Sequence, residues 1–512
     1  MTNPRSGAVA HDRIGPGIVF AFAFGLACLR YLPFFGEPWD DSTAATNGWG
    51  FTQPIVRNWE RIGLFAAGGV PHQYALPSGP EGAMVGVWPY LNHPPGLHWS
   101  FYAVSRVFGT EPWALRLLPL LASALAAGLG AVLVRRSLGS AWALLFSVWF
   151  AVLPLSFYAG RICSSESVLL PIALGALLLH RRWRTRGASR YAVVHGLVFV
   201  ALQADWQGAF VPAMLFVDEL LAARADRRLG RVLGLGLPAL ASVAVTLLVT
   251  AQSMSGIGAA LEFYARVFGV VATADTRSAA GHAPLRIVLG HLLQLVPWPV
   301  LLLAGVGFVN ALRRGAEALR IWLALLVPGV ANVLVFQRHA AIHDFWIYAL
   351  AAPLVGLAVL GLATLVQVGS GRAPRLARGL GAGLGVAIAA LSLHGALAQH
   401  GTANRPEWHA ANEALAARLN GAVAADDLLV TDLMLGPVAA GLRCHLLVSH
   451  GQAEALVPVH DLFRQGRLGV RRLFCAASRA ALASVPGLEA RLREQGEVVL
   501  ETGEFVLFRE AL

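Results

Sequence analysis

Eleven apolar runs, joined by connections that alternate between arginine-rich and arginine-poor, constrain this chain more than any other feature. The runs fall near residues 15–35, 115–134, 141–160, 166–180, 191–205, 208–223, 232–252, 286–309, 320–337, 345–367 and 379–399. An α-helix needs about 20 apolar residues to cross the hydrocarbon of a bilayer, and each run reads as one crossing. Arginines collect in every second connection: Arg135-Arg136, then Arg181 to Arg190, Arg224 to Arg231, Arg313 to Arg320, and Arg372 to Arg378. Cytoplasmic loops concentrate positive charge, so these connections share the inner side with Arg5 and Arg13, and the C-terminus lies outside. One miscounted helix would break the alternation.

Composition agrees. Of 512 residues, 56% are hydrophobic and 13% are charged, where a soluble chain carries about 25% charge. The formal charge of +11 would suggest nucleic acid in a soluble protein. Here the arginines sit in inner loops, so the expected partner is a lipid bilayer and not nucleic acid. All 40 basic residues are Arg, and with abundant Ala, Gly and Leu this suits a GC-rich bacterial genome. The N-terminal segment reads as an uncleaved signal anchor, which places the chain in the bacterial cytoplasmic (inner) membrane.

The expected fold class is an α-helical polytopic membrane protein with about 11 transmembrane helices, N-in and C-out, over residues 1–399. A long first outer loop spans 36–113, and a small extracytoplasmic α/β domain spans 400–512. In that tail, 427–431, 470–475 and 497–501 read as strands, and 407–419 and 479–495 as helices. Cys444 and Cys475 fit a disulfide in an oxidising compartment or two unrelated thiols equally well.

Ionisable groups at membrane depth are costly and mark function by default. Acidic residues gather at outer helix ends: Asp40 and Asp41 after the first run, Glu166 between the third and fourth, Asp205 in the next outer turn, and Asp344 after Gln337–His343. Carboxylates mixed with Arg and His suit a site that deprotonates a hydroxyl and neutralises a phosphate. Plainer readings stand beside this one. Asp40 and Asp41 fit solvated helix ends, Glu166 fits a charge complementing a helix N-terminus, and Arg161 fits an interfacial anchor. Asp205-Trp206 fits an aromatic-belt turn, and His339 and His343, four apart, have the spacing of metal ligands on a helix. His195, His291 and Gln294 are the polar groups inside the runs. They form no evident pathway, which disfavours a transporter.

Several segments resemble one family. Arg57-Asn58-Trp59-Glu60-Arg61, Tyr90-Leu91-Asn92-His93-Pro94-Pro95-Gly96 and Glu111-Pro112-Trp113 are similar to the first outer loop of the C-type (polytopic membrane) glycosyltransferases, relatives of the protein O-mannosyltransferases and lipid A aminoarabinose transferases. Tyr158-Ala159-Gly160-Arg161 with Glu166, Asp205-Trp206, and His343-Asp344-Phe345-Trp346 continue the pattern in order. The resemblance implies transfer of a sugar, usually with inversion, from a polyprenyl-phosphate donor to a lipid, glycan or protein acceptor at the extracytoplasmic face. It makes Asp40 or Asp41 the general base and Glu166 the second carboxylate, with a divalent metal (Mg or Mn) at Asp41 and Glu166. His93 is the matching position near the carrier phosphate. Arg161, Arg338, His339 and His343 are further phosphate candidates, and Arg57, Asp205 and Asp344 complete the substrate-binding set. Asp41 stands sixteen residues before Arg57, and Asn47 fills the position where the family commonly places its acid. The competing reading is a non-catalytic protein of the same fold, a lipid-sugar flippase or an envelope-assembly partner. If the site is shared, Asp40 or Asp41, Glu166 and His343 are expected to converge.

Overall fold

The computed structural model describes residues 14–37, 39, 47–78, 83–183, 188–222, 228–273, 284–314, 317–371, 373–431, 442, 444–448, 470–484, 487–503 and 505–510. Asp40 and Asp41 lie outside the described residues. Helices dominate. Among the described residues, five are long and apolar enough to cross a membrane: Pro16–Phe34, Pro112–Leu138, Leu229–Gln252, Asp344–Ser370 and Pro374–Ala422. Pro284–Leu295 and Trp298–Arg313 make a sixth if they count as one span bent by 103°. Shorter apolar helices cover Ser140–Val152, Arg190–Ala204 and Leu319–Val335. Proline accounts for one shortening. The run at 141–160 stops at the extended Leu153, and Pro154 starts a new helix, Pro154–Ala159, because its nitrogen cannot donate the helical hydrogen bond.

The chain divides into two compact units. The first comprises Met1–Gly36, Asn92–Leu97 and Arg116–Thr402. Its helices turn large apolar side chains outward: Leu237, Leu240, Leu293, Leu302 and Leu380 are between 61% and 72% exposed. So many exposed large apolar side chains are unusual facing water and ordinary facing lipid. Helices meet closely where side chains vanish. A Cβ on Gly307 would fall 2.0 Å from the Leu357 carbonyl, and one on Gly361 would fall 2.0 Å from that of Leu303, the small-residue contact that membrane helices use.

The expectation that polar groups within the runs are confined to His195, His291 and Gln294 needs correction. Asp218 and Glu219, at the C-terminal end of the helix Phe210–Leu220, are completely buried, as is His180. Asp218 Oδ1 accepts from Arg181 Nε and Nη2 at 3.1 and 2.9 Å, and its Oδ2 accepts from Arg320 Nη2 at 2.9 Å. Glu219 Oε1 lies 3.0 Å from His180 Nε2, and the other nitrogen of that ring is 2.8 Å from the Tyr191 hydroxyl. A buried carboxylate is costly unless paired. Here arginines from two other helices, Ser165–Trp183 and Glu317–Val335, provide the pairing.

The second unit comprises Glu37–Leu91, His98–Leu115 and Ala403–Leu512, so the first loop and the tail fold together. Strands β1 (His72–Ser78) and β2 (Ala83–Pro89) form an antiparallel hairpin. The tail supplies β3 (Leu428–Thr431), β4 (His445–Val448), β5 (Leu473–Ser478), β6 (Gly496–Glu501) and β7 (Phe505–Glu510). They make a sheet of order β4-β3-β5-β7-β6, parallel across β4-β3-β5 and antiparallel at β5-β7 and β7-β6. The alternation of strand side chains builds a core on each face. Leu428, Val430, Leu473, Val506 and Phe508 pack on one side with Tyr74 of β1. Leu429, Phe474, Phe505 and Leu507 pack on the other with Leu419 of the helix Pro406–Ala422. All four cysteines are free thiols. Cys444 belongs to the second core and Cys475 packs against the first, so the sheet separates them.

Candidate active site

Two tight turns place the acidic residues of the first unit. After Pro154–Ala159 the backbone bends through Arg161–Ser164, with Ile162 N donating to Ala159 O at 3.2 Å and Ser164 N to Ile162 O at 2.8 Å. The helix Ser165–Trp183 then starts, with Glu166 in its first turn, where the helix dipole favours a carboxylate. The second turn follows the helix Ala188–Ala204. Asp205 is extended and caps the 3₁₀ turn Trp206–Ala209, accepting at Oδ1 from Gln207 N at 2.9 Å. Trp206 Nε1 donates to the Asn92 carbonyl at 3.0 Å, which holds the segment carrying His93 against this turn. Gly96 lets that segment approach, since a Cβ there would fall 2.7 Å from the Gln203 carbonyl.

The two carboxylates are 5% and 3% exposed and share neighbours. Ser165 Oγ donates to Asp205 Oδ2 at 2.8 Å and stands 3.4 Å from Glu166 Oε2. His93 Nδ1 lies 2.8 Å from the same Asp205 oxygen. Gln207 Nε2 donates to Glu166 Oε1 at 2.7 Å, and Gln207 Oε1 accepts from Asn332 Nδ2 at 2.8 Å. The result is a line of polar groups, His93–Asp205–Ser165, meeting a second, Glu166–Gln207–Asn332. Burial pushes the His93 imidazole toward neutrality, but the Asp205 carboxylate beside it outweighs burial and holds its pKa above the ordinary histidine value. Asp205 thus favours the charged form of the imidazole that borders the two buried acids.

The other candidates sit as follows. Arg161 Nη1 is 2.6 Å from His400 Nδ1. Asp344 Oδ1 accepts from the Tyr158 hydroxyl at 2.9 Å, joining two motifs picked from sequence. His343 stacks on Phe345 with centroids 5.2 Å apart. Arg338 and His339 lie in the helix Gln337–Ile342, and their side chains are outside the described residues. Arg57, in the second unit, has its Nε 3.4 Å from Thr110 Oγ1. No described contact joins His343 to Glu166; the carboxylate that shares Ser165 with Glu166 is that of Asp205. Gln207 and Asn332 were not singled out from sequence. A lone amide within an apolar run, such as Asn332 in 320–337, is the signal that marks them.

The resemblance implies a divalent cation at Asp41 and Glu166. The oxygens of Glu166 already face Gln207 and Ser165. Among the described residues no three His, Cys, Asp or Glu side chains are grouped to hold a metal ion.

Residues 92–252 match the family model of the dolichyl-phosphate-mannose-protein mannosyltransferases. No curated protein sequence matches the chain. The fold is similar to that of ArnT from Cupriavidus metallidurans, at 15% identity over 97% of both chains with a TM-score of 0.60 in the apo state. In the ArnT structure bound to undecaprenyl phosphate the identity is 16%, over 97% of this chain and 99% of that one, with a TM-score of 0.62. The oligosaccharyltransferase of Archaeoglobus fulgidus is also similar, at 14% identity over 94% of this chain and 71% of that one, with a TM-score of 0.55. This protein therefore has the fold of the C-type glycosyltransferases, the group its motifs resemble, and it matches their mannosyltransferase branch through residues 92–252.

Proposed function

We propose that this chain transfers a sugar from a polyprenyl-phosphate carrier to an acceptor hydroxyl, with inversion, at the extracytoplasmic face of a bacterial inner membrane. In this reading it crosses the membrane about 11 times with its N-terminus inside, and residues 400–512 form an extracytoplasmic domain. The observation that carries the reading is the buried pair Glu166 and Asp205, bridged by Ser165 and flanked by His93. It sits in a fold shared with a transferase captured on undecaprenyl phosphate.

The acceptor oxygen attacks the anomeric carbon while the bond from that carbon to the phosphate oxygen breaks, so the configuration inverts. The hydroxyl proton passes to a carboxylate, assigned by resemblance to Asp40 or Asp41 with Glu166 in support. Polyprenyl phosphate departs with the electron pair. Asp205 favours the charged form of His93, and in that form the imidazolium offsets the negative charge growing on the leaving phosphate. Arg161, Arg338, His339, His343 and Arg57 are proposed as further contacts to the donor, and Asp344 as the group orienting Tyr158. A divalent ion at Asp41 and Glu166 remains a proposal of the resemblance.

The test is transfer from a panel of radiolabelled undecaprenyl-phosphate sugars in membranes containing the wild-type chain, with label followed into lipid, glycan and protein fractions. Label leaving the carrier for one fraction, only when the chain is present, supports the reading. Carrier-linked sugar that merely changes sides of sealed vesicles supports the flippase instead.

A further inference from the structure

Three helices are tied together by polar side chains at both ends. At one end Glu166 accepts from Gln207, and Gln207 accepts from Asn332. At the other end Asp218 takes Arg181 and Arg320. Each tie joins the helices Ser165–Trp183, Phe210–Leu220 and Glu317–Val335, Gln207 standing just before the second of them. Between the ties lies a groove. Leu169, Leu170, Phe210, Met214 and Leu325 wall it, and Glu166, Gln207 and Asn332 form its polar head. Apolar walls with a few convergent polar groups at one end are the lining of a small-molecule site.

The hydrogen-bond directions determine what the head can recognise. An ionised carboxylate only accepts, so Gln207 must turn its Nε2 toward Glu166 and its Oε1 toward Asn332 Nδ2. Asn332 is then left with Oδ1. This atom is buried, in a residue 2% exposed, and has no hydrogen-bond partner among the described residues. Buried polar atoms in native proteins are nearly always paired. The groove therefore presents an acceptor that needs a donor, beside a carboxylate, at the top of apolar walls. No Arg or His is among its described lining residues, and His93 is already engaged by Asp205, so an anionic head would meet Glu166 with no lining cation to offset it.

We propose that this groove binds the chain of a lipid alcohol, whose uncharged hydroxyl donates to Asn332 Oδ1. The site differs in chemistry from one for a phosphate-headed carrier. Joined to the transferase reading, it makes a lipid alcohol the acceptor class, with its hydroxyl beside Glu166. The binding itself stands whether or not that reading does.

The experiment uses the purified full chain in nanodiscs and three photoreactive probes sharing one diazirine-bearing sixteen-carbon chain. They end in a hydroxyl, a methyl ether or a phosphate monoester. Labelled peptides are mapped, and the transfer assay is run separately. A buried acceptor regaining its donor is worth about 1.4 kcal/mol, or roughly tenfold in affinity. The alcohol is expected to label 169–173 and 210–214 about tenfold more efficiently than the ether or the phosphate. Asn332→Leu should bring alcohol labelling down to the ether level and leave ether labelling unchanged, which also shows that the variant is folded. Equal labelling by alcohol and ether in the wild type would overturn the proposal, since a water would then satisfy Asn332. So would phosphate labelling above the alcohol, or full alcohol labelling in Asn332→Leu. Failure of sugar transfer alongside selective alcohol labelling would remove the transferase reading and leave this one standing.

Discussion

Replacing Asp218 by alanine should cost more than any single change on the lipid-facing surface. The carboxylate is completely buried, and three guanidinium hydrogen bonds of 2.9 to 3.1 Å end on it. Charge-assisted bonds are worth about 1.5–3 kcal/mol each, but they share one acceptor group and do not add. Breaking a buried ion pair from one side costs about 3–5 kcal/mol, because the partner charge stays behind unpaired. Here two partners stay behind, with Arg181 and Arg320 side chains only 10% and 17% exposed. The expected loss for Asp218→Ala is therefore about 4 kcal/mol, within the range for a broken buried pair. The assay is a reversible SDS titration of the solubilised chain, followed by far-ultraviolet circular dichroism. Replacing Asp218, Arg181 and Arg320 together by leucine should cost less than Asp218→Ala alone, because neither arginine is left buried without its partner. A loss below about 1 kcal/mol for Asp218→Ala, the scale of an exposed pair, would refute the reasoning. So would a triple variant worse than the single one.

Two further outcomes follow from other contacts. Asp205 raises the His93 pKa, so the pair contributes its full stability below the ordinary histidine value of about 6.5 and loses it as pH rises through the raised native value. Histidine-selective nuclear magnetic resonance should give His93 a lower titration midpoint in Asp205→Asn than in the wild type; an unchanged midpoint would mean that Asp205 is not what holds the charge. Gly361→Val places a methyl-bearing Cβ 2.0 Å from the Leu303 carbonyl, and overpacking of this kind costs about 1–3 kcal/mol or more; unchanged stability in the same SDS titration would mean that the two helices do not pack there.

The individual acids were legible, but most of their partners were not. Glu166 and Asp205 stood out because a carboxylate in a short turn between apolar runs has few ordinary reasons to be there. Their meeting across forty residues of chain, through Ser165, depends on helix packing that no local pattern encodes. Asn332 and Asp218 hid inside apolar runs, where one polar letter hardly alters periodicity. The tail strands β3, β5 and β6 were visible as short β-branched or apolar stretches near their observed places. Strand β7 was missed because it is buried on both faces and reads as a continuous run, Phe505-Val506-Leu507-Phe508, without alternation. The first loop carried no strand expectation. The hairpin β1-β2 brackets Gly79-Pro80, a turn dipeptide that could have marked it. The Arg-rich connections speak to sidedness, which depends on the membrane and not on contacts within the chain.

The most direct test of the central claim is sugar transfer by Glu166→Gln, which keeps the shape of the side chain and removes its charge. Initial rates would be compared with the wild type in membranes carrying equal amounts of correctly inserted chain. Loss of a positioned acid–base group costs about 10²–10⁴-fold in rate, so the account predicts a fall of at least a hundredfold with donor binding retained. Transfer within threefold of wild type would contradict it, and would place the chemistry somewhere other than the Glu166–Asp205 cluster.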